Sequence, residues 1–514
     1  MFLEAVWIGF AFACGLAVKR VGLPPLIGYL TAGFAISSLP GTIAMPEHAD
    51  YVLSHVAHLG VLLLLFSVGL KLNLANLIKP EVIGGGVLHF AISIVLLAPG
   101  LYFFLDGDSY RAILLASALA FSSTVLAAKI LEGKRELRAF HGRVAIGILV
   151  VQDLLALVVV SIAGEATPSP WALLVLLLPF LRPVLHRLLD ASGHDELQLL
   201  FGMLAALVLG GYGFELVGLN AELGALLFGA MLAGHRRAVE LSRTLWGLKE
   251  FFLVGFFLHI GIDGVPGVDA WLFAVVMLAL LPLKGLLFFF LLIGFKLRAR
   301  SAFLTSLSLS QYSEFGLIVA SLVLPDWLVP LALTVALSFI ISAPLNRKAH
   351  PLYDRFAPWL IRWERNTRHP DEQPVSLGRA DVLVMGMGRT GKAAYDYLQS
   401  RYEVIALDSD PARVVDNERA GRSVFFADAE DPGFWQSLDM GTVRSVVLTI
   451  NDVEAKVIAT RNLRSSGFDG LIVSHSMHQD EADQIMAVGA DQTYLTMSEA
   501  GVGLAEHVMQ SGRV

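Results

Sequence analysis

Asp153 lies in the run Ile148-Leu149-Val150-Val151-Gln152-Asp153-Leu154-Leu155, beside a carboxamide and with no other charge for about ten residues either way. A carboxylate in such a setting binds either a proton or a monovalent cation, and competition between the two is the minimal chemistry of exchange. An ionisable group at membrane depth costs a few kcal/mol to insert, so the alternative is a packing acid held neutral or permanently paired. Lys284, in Leu281-Pro282-Leu283-Lys284-Gly285, is the one basic residue inside an apolar run. It reads either as the fixed partner of Asp153 or as an ammonium that withdraws when a cation arrives. Glu314 falls in Ser308-Leu309-Ser310-Gln311-Tyr312-Ser313-Glu314-Phe315-Gly316, and Ser122-Ser123-Thr124 interrupts another apolar run. Hydroxyls, amides and a Gly loosen a helix, and helices broken near the midplane offer carbonyl oxygens and helix termini to an ion. The plainer reading is that these hydroxyls bond back to their own helix. The ion-binding candidates are therefore Asp153, Gln152, Thr124, Ser123, Ser122, Gln311, Glu314 and Lys284, with the cation placed at Asp153.

A second kind of chemistry lies near the other end of the chain. Asp381-Val382-Leu383-Val384-Met385 is a short β-rich run, followed by Gly386-Met387-Gly388-Arg389-Thr390-Gly391 and a helical stretch to Leu398. Asp408 closes the next β-rich run, 22 residues after Gly386. A glycine pattern after a strand, opening a helix, with an acid at that distance is the dinucleotide fingerprint. Backbone N–H groups would approach a phosphate at the helix N-terminus, and Asp408 would accept from ribose hydroxyls. Gly386, Gly388, Arg389, Thr390, Gly391, Asp408 and Asp428 are the cofactor-binding candidates. The alternative is a Rossmann fold that keeps its glycines for packing.

The elements that must position these residues follow from composition. The chain has 514 residues, 55% of them hydrophobic and 16% charged. Up to position 350 there are 22 Lys+Arg against 21 Asp+Glu, about 12% of that stretch; the last 164 residues hold 16 against 24, about 24%. A single soluble fold is excluded, and so is a nucleic-acid binder, because no basic surplus is available for phosphates. Cys14 is the single cysteine, so no intramolecular disulfide forms. Windows long enough to cross the bilayer centre near Ile8, Leu30, Leu63, Ile94, Ala118, Leu154, Leu178, Leu204, Leu226, Val254, Leu278, Leu309 and Val335. Lys and Arg gather after the odd-numbered windows, whereas the even-numbered loops hold Arg111 alone. By the positive-inside rule, thirteen spans put the N-terminus outside and the tail in the cytoplasm. The two polar interruptions fall seven spans apart and so run in opposite senses, as an inverted repeat of spans one to six on eight to thirteen requires. The expected domains are a transmembrane exchanger at 1–346, a juxtamembrane linker at 347–378 and an α/β Rossmann-like domain at 379–514. No second lobe with an acid/base catalyst accompanies that domain, which makes it regulatory and the protein a non-enzyme.

Taken together, Leu26-Ile27-Gly28-Tyr29-Leu30-Thr31-Ala32-Gly33, Leu64-Leu65-Phe66-Ser67-Val68-Gly69-Leu70, Phe121-Ser122-Ser123-Thr124, Val151-Gln152-Asp153, Lys284 and Ser310-Gln311 with Glu314-Phe315 resemble the monovalent cation:proton antiporter family. The likeness is to its Kef-type potassium efflux members, with the N-lobe of an RCK (KTN) nucleotide-binding domain at the C-terminus, and it covers nearly the whole chain. It implies a sodium/proton-antiporter-like bundle in a bacterial inner membrane, a homodimer, and an ion-carrying half that moves against a scaffold half as an elevator. It further implies that Asp153 carries potassium, or sodium, in alternation with a proton, and that AMP or NAD(H) at the Gly386 loop gates transport. Gln152 stands where electrogenic sodium exchangers commonly have a second Asp, which favours electroneutral exchange. Gln311-Tyr312-Ser313-Glu314 departs from the family's Gln-Gly-Gly/Ser-Glu by a bulky ring. The competing class is a nucleotide-gated potassium channel, against which stands the lack of any Thr-Val-Gly-Tyr-Gly-like filter; a membrane-bound NAD-dependent enzyme is the third.

Overall fold

The structure, a computed structural model, describes the chain apart from residues 1, 39–46, 71–78, 135, 138, 164–168, 172–176, 194–195, 263, 368, 370–376, 428, 430–433, 436–437, 439 and 511–514. It divides into two compact units, Met1–Leu131 with Arg143–Thr367, and Glu132–Gly142 with Arg368–Val514.

The first unit is helical. In chain order it contains α1 (Phe2–Arg20), α2 (Pro25–Ser37), α3 (Glu47–Leu70), α4 (Pro80–Phe104), α5 (Ser109–Ala120), α6 (Thr124–Gly133) and α7 (Phe140–Ala163), whose first residues and the end of α6 belong to the other unit. After these come α8 (Leu178–Ala191), α9 (Glu196–Met203), a π-helical stretch (Leu204–Tyr212) and α10 (Gly213–Leu216). The series ends with α11 (Ala221–Leu232), α12 (Ala238–Ile262), α13 (Val268–Gly294), α14 (Ala299–Leu309), α15 (Glu314–Val323), α16 (Leu328–Arg347) and α17 (Ala349–Leu360). At about 1.5 Å per residue, the 27 residues of α13 reach about 40 Å, more than the hydrocarbon thickness.

Each of the thirteen predicted centres falls in a helical element, but length and apolarity qualify seven spans among the described residues, with three shorter apolar helices beside them. The remaining centres are Ile8 in Phe2–Arg20, Leu178 at the start of the 14-residue Leu178–Ala191, and Leu309, where the run is interrupted at 310–313.

Two features of this unit position the polar groups. Helix α12 packs against α2 and α3, and α2 meets it where both carry glycine: a Cβ on Gly33 would lie 2.5 Å from the Leu258 carbonyl oxygen, and one on Gly261 would collide with that of Leu30. Close backbone approach is what admits only glycine there. The second feature is the pair of interruptions, 121–123 between α5 and α6 and 310–313 between α14 and α15. The backbone is extended at Phe121 and at Ser313, so each run restarts as a new helix after its polar residues.

The second unit is built on a six-stranded all-parallel sheet, ordered β3-β2-β1-β4-β5-β6, from β1 (Val382–Met385), β2 (Val404–Asp408), β3 (Val424–Phe426), β4 (Ser445–Leu448), β5 (Leu471–Ser476) and β6 (Gln492–Leu495). Helices α18 (Arg389–Leu398), α19 (Pro411–Arg419), α20 (Val453–Ser465), α21 (Gln479–Ala487) and α22 (Thr496–Gln510) accompany the strands. Strand order reverses at β1 and β4, where ligands bind across the carboxyl ends of open α/β sheets. All four residues of β1 are buried, as a central parallel strand covered on both faces requires.

The glycine contact gives a test with opposite signs. Ala is favoured over Gly in a helix by about 1 kcal/mol, so Gly9→Ala in α1, where nothing lies within 4 Å, should leave or slightly raise the melting temperature of the detergent-solubilised protein. Gly33→Ala should lower it by several degrees. Equal behaviour of the two variants would refute the packing assignment.

Candidate functional site

The interruptions leave helix ends to be satisfied inside a low-dielectric unit, and the sequence supplies a partner for each. Lys284, buried in α13, donates from Nζ to the carbonyl oxygens of Leu119 at 3.2 Å, Phe121 at 2.5 Å and Gln311 at 3.0 Å. These are the last carbonyls around α5 and one from the second break, where the helix dipole is negative. The ammonium also sits 5.0 Å from the centroid of the Tyr312 ring, within cation–π range. The amide of Gln152 spans the first break from the side: its Oε1 accepts from Ser122 N–H at 2.9 Å and its Nε2 donates to Ala120 O at 3.4 Å. Gln311 Nε2 joins the breaks by donating to Ser123 O at 3.3 Å and to Ser308 O at 2.7 Å. Two serines cap the restarting helices. Ser123 Oγ accepts from Leu126 N–H at 3.1 Å, and Ser313 Oγ from Phe315 N–H at 3.0 Å.

The acids stand at the restarting helix α6. Thr124 Oγ1 donates to Asp153 at 3.1 Å (Oδ2) and 3.3 Å (Oδ1), and Glu314 Oε1 accepts from Val125 N–H at 3.4 Å. Negative groups at an N-terminus are favoured by the dipole. Asp153 is 1% exposed. Among the described residues neither Asp153 nor Lys284 is in an ion pair, so the reading of Lys284 as the fixed partner of Asp153 gives way to one in which its donors are taken by carbonyls. Asp153 is thereby left with a hydroxyl donor and no ion-pair partner among the described residues, a carboxyl able to take up a proton or a small cation. Ser122 Oγ is buried without a partner, and the breaks bring all eight predicted ion-site residues into one contiguous network with α7 and α13.

Sequence reasoning overlooked several residues here. On α16, Ser338, Ser342 and Asn346 recur every fourth residue and face the second break. Ser338 Oγ accepts from Tyr312 N–H at 3.2 Å, Ser342 Oγ donates to Ser310 O at 3.1 Å, and Asn346 Nδ2 to Leu307 O at 2.9 Å. The four-residue spacing of small polar residues in an apolar run was the available signal. The ring of Tyr312, bulky where the resembling family has glycine, is accommodated because its hydroxyl donates to Met277 O at 2.7 Å. His89 of α4 is also buried, stacked on Phe288 with centroids 3.5 Å apart.

In the second unit, a cavity of about 610 Å³ opens at the carboxyl ends of β1, β2 and β4, with Gly386, Gly388, Asp408, Arg413, Thr449 and Asn451 among its walls. Gly386 takes φ +102°, which favours glycine, and turns the chain from β1. A Cβ on Gly388 would meet nothing within 4 Å, so its backbone faces open space at the N-terminus of α18. Gly391 lies against the Gly386 carbonyl and serves packing. Arg389, Thr390 and Gly391 are not on the cavity wall, and Asp428 lies outside the described residues. Asp408 Oδ2 accepts from Met387 N–H at 2.6 Å and Oδ1 from Asp410 N–H at 2.8 Å, with Arg413 Nη1 at 3.7 Å from Oδ2. The carboxylate thus shapes the glycine turn as well as facing the cavity. A cradle of this size, with a glycine turn, a helix N-terminus and an acid on the second strand, fits a nucleotide. Beyond the cavity wall, Lys456 donates to His475 O at 2.6 Å, and burial pushes its ammonium below the usual lysine range.

Comparison with known proteins agrees with both units. A family model described as sodium/hydrogen exchanger, transmembrane, matches residues 8–346, and a TrkA-N domain model matches 382–496. Among solved structures, the sodium proton antiporter MjNhaP1 of Methanocaldococcus jannaschii is 13% identical over 68% of this chain and 97% of its own, with a TM-score of 0.49. The TrkA-N domain of the Escherichia coli inner membrane protein ybaL is 21% identical over 24% of this chain and 93% of its own (TM-score 0.23). The GsuK channel bound to NAD is 17% identical over 44% of this chain and 41% of its own (TM-score 0.22).

Replacing Lys284 by Met keeps the apolar stem and removes the donor from three buried carbonyls. With hydrogen bonds to a charged group contributing about 1.5–3 kcal/mol, Lys284→Met should lower the melting temperature in detergent by more than Gly33→Ala does. An unchanged melting curve would show that Lys284 does not hold the breaks together.

Proposed function

The chain belongs to the sodium/hydrogen exchanger family, and on that footing we propose that it is a potassium–proton antiporter in which Asp153 alternately carries a proton and the cation. The observation that carries this reading is the setting of Asp153, buried beside the first helix break with a hydroxyl donor and, among the described residues, no ion-pair partner. Deprotonated, it attracts a dehydrated monovalent ion; protonated, it releases that ion. Thr124 and Glu314 supply further oxygens. Gln152 and Gln311 hold the breaks open, and Lys284 neutralises the carbonyl ends on their other side.

We assign the remaining features to the same reading. Residues 1–346 form the exchanger, 347–378 the linker and 379–514 the nucleotide-binding regulatory domain. The protein functions as a homodimer in a bacterial inner membrane, with N-termini outside and tails in the cytoplasm, and an ion-carrying half of each subunit moves as an elevator. NAD(H) or AMP binds across Gly386 and Gly388, at the N-terminus of α18 and beside Asp408, and sets the transport rate by ordering the dimeric tail. A bound nucleotide supplies phosphate charge to that helix terminus. The chain's own part is the turn at Gly386, the open face at Gly388 and the acid that fixes Met387 N–H. Sodium is the second substrate reading, because the family description names it and the same oxygens accept it.

Reconstituted into proteoliposomes with a pH dye inside, the protein should convert an imposed potassium gradient into a pH change, larger than for equal sodium and altered by NADH or AMP. Asp153→Asn should reduce that change to the level of empty vesicles while elution profile and melting temperature stay as in the parent. Exchange retained by Asp153→Asn would overturn the assignment of the carrier, and a sodium-driven change exceeding the potassium one would overturn the substrate.

A further inference from the structure

A cavity of about 50 Å³ in the first unit separates Glu314 from a second acid that plays no part in the site described so far. Its walls include Pro25 and Tyr29 of α2, Val125 and Lys129 of α6, Glu250 of α12 and Glu314 itself. One water occupies about 10–15 Å³ by this measure, so the volume is that of a few waters or a partly dehydrated cation, between apolar walls that include Leu64, Phe256 and Phe257. Glu314 is 3% exposed, and while its Oε1 takes the Val125 N–H, its Oε2 is buried with no hydrogen-bond partner. A buried carboxylate oxygen without a donor, on the wall of a small cavity, is placed to accept a cation. Glu250 is about one-third exposed, and the ammonium of Lys249 lies 3.1 Å from its Oε1. Lys249 itself is 8% exposed, so its charge is held in the protein rather than in water.

We propose that Glu250 and Glu314 form a loading station for the monovalent cation, one carboxylate at the mouth of the cavity and one at its floor, ahead of Asp153. Lys249 keeps the mouth neutral until a cation displaces it from Glu250. The incoming ion exchanges hydration water for the Glu250 carboxylate, enters the cavity, and meets Glu314 Oε2 before reaching the acid beside Thr124. The orientation follows from the proposed topology: Pro25 begins α2 just after Lys19 and Arg20, which places the mouth on the cytoplasmic side. This inference rests on the exchange reading above and adds to it a site with its own residues and its own sidedness.

An ion pair that serves folding alone would be damaged in the same way by removal of either partner. A loading station responds in opposite directions. In oriented vesicles, Lys249→Met should lower the apparent KM for cytoplasmic potassium severalfold. Glu250→Gln should raise it about tenfold with the maximum rate kept, and Glu250→Asp should fall close to the parent. The double variant Lys249→Met with Glu250→Gln leaves no unpaired buried charge and should still show a higher KM than Lys249→Met. The KM for the cation offered from the other face should not move in any of them. An unchanged cytoplasmic KM in Glu250→Gln and in the double variant, or equal changes on both faces, would overturn the station. Asp153→Asn assayed alongside separates the two proposals: its loss of exchange together with an unmoved KM in Glu250→Gln removes only the station, whereas retained exchange removes the carrier reading beneath it.

Discussion

The ammonium of Lys284 is the constraint on which the membrane unit depends. Interrupting two helices inside an apolar bundle strands carbonyl groups that water would otherwise solvate, and an unmet buried polar group costs about 1–3 kcal/mol. One side chain answers three of them, from Leu119, Phe121 and Gln311. Because Leu119 and Phe121 belong to one interruption and Gln311 to the other, the same charge pins the two breaks together. The dipoles then do the rest: carbonyl ends meet a cation on one side, and the N-terminus of α6 meets Asp153 and Glu314 on the other. Acid and base are kept in one buried region without an ion pair between Asp153 and Lys284, and under the proposed exchange the carboxylates are the groups that meet a mobile ion.

Much of this was legible in the chain. Asp153, Lys284 and Glu314 stood out because charge in an apolar run is expensive, and Ser122-Ser123-Thr124 because small polar residues interrupt a helix. What each side chain would bind was not legible. The choice between carboxylate and carbonyl for Lys284 depends on where α13 passes the breaks, a matter of packing between segments more than 160 residues apart. The polar stripe of α16 went unnoticed because three isolated polar residues in an apolar run are ordinary until a neighbouring break needs them. The break inside one span was likewise hidden: hydropathy sees Leu309 as the middle of one span, whereas the helix stops there and restarts at Glu314.

The soluble unit followed the sequence more closely, since a parallel sheet with alternating helices is written in local pattern. Gly386, Gly388 and Asp408 come together as the fingerprint requires. Arg389 and Thr390 do not reach the cavity because the helix turns them outward after Gly388, and the role of Asp408 is wider than spacing suggested. Its two oxygens fasten the backbone at Met387 and Asp410, so acid and glycine turn are a single unit whose shape a bound nucleotide would share.

The claim that a single carboxylate exchanges its charge while Lys284 stays bound to carbonyls has a direct electrical consequence. Proton-to-potassium stoichiometry, measured in proteoliposomes clamped at different membrane potentials, should be one to one, with no transported charge and no dependence of the equilibrium on potential. A stoichiometry of two protons per cation, with a net current, would mean that a second group titrates during each cycle and would contradict the account.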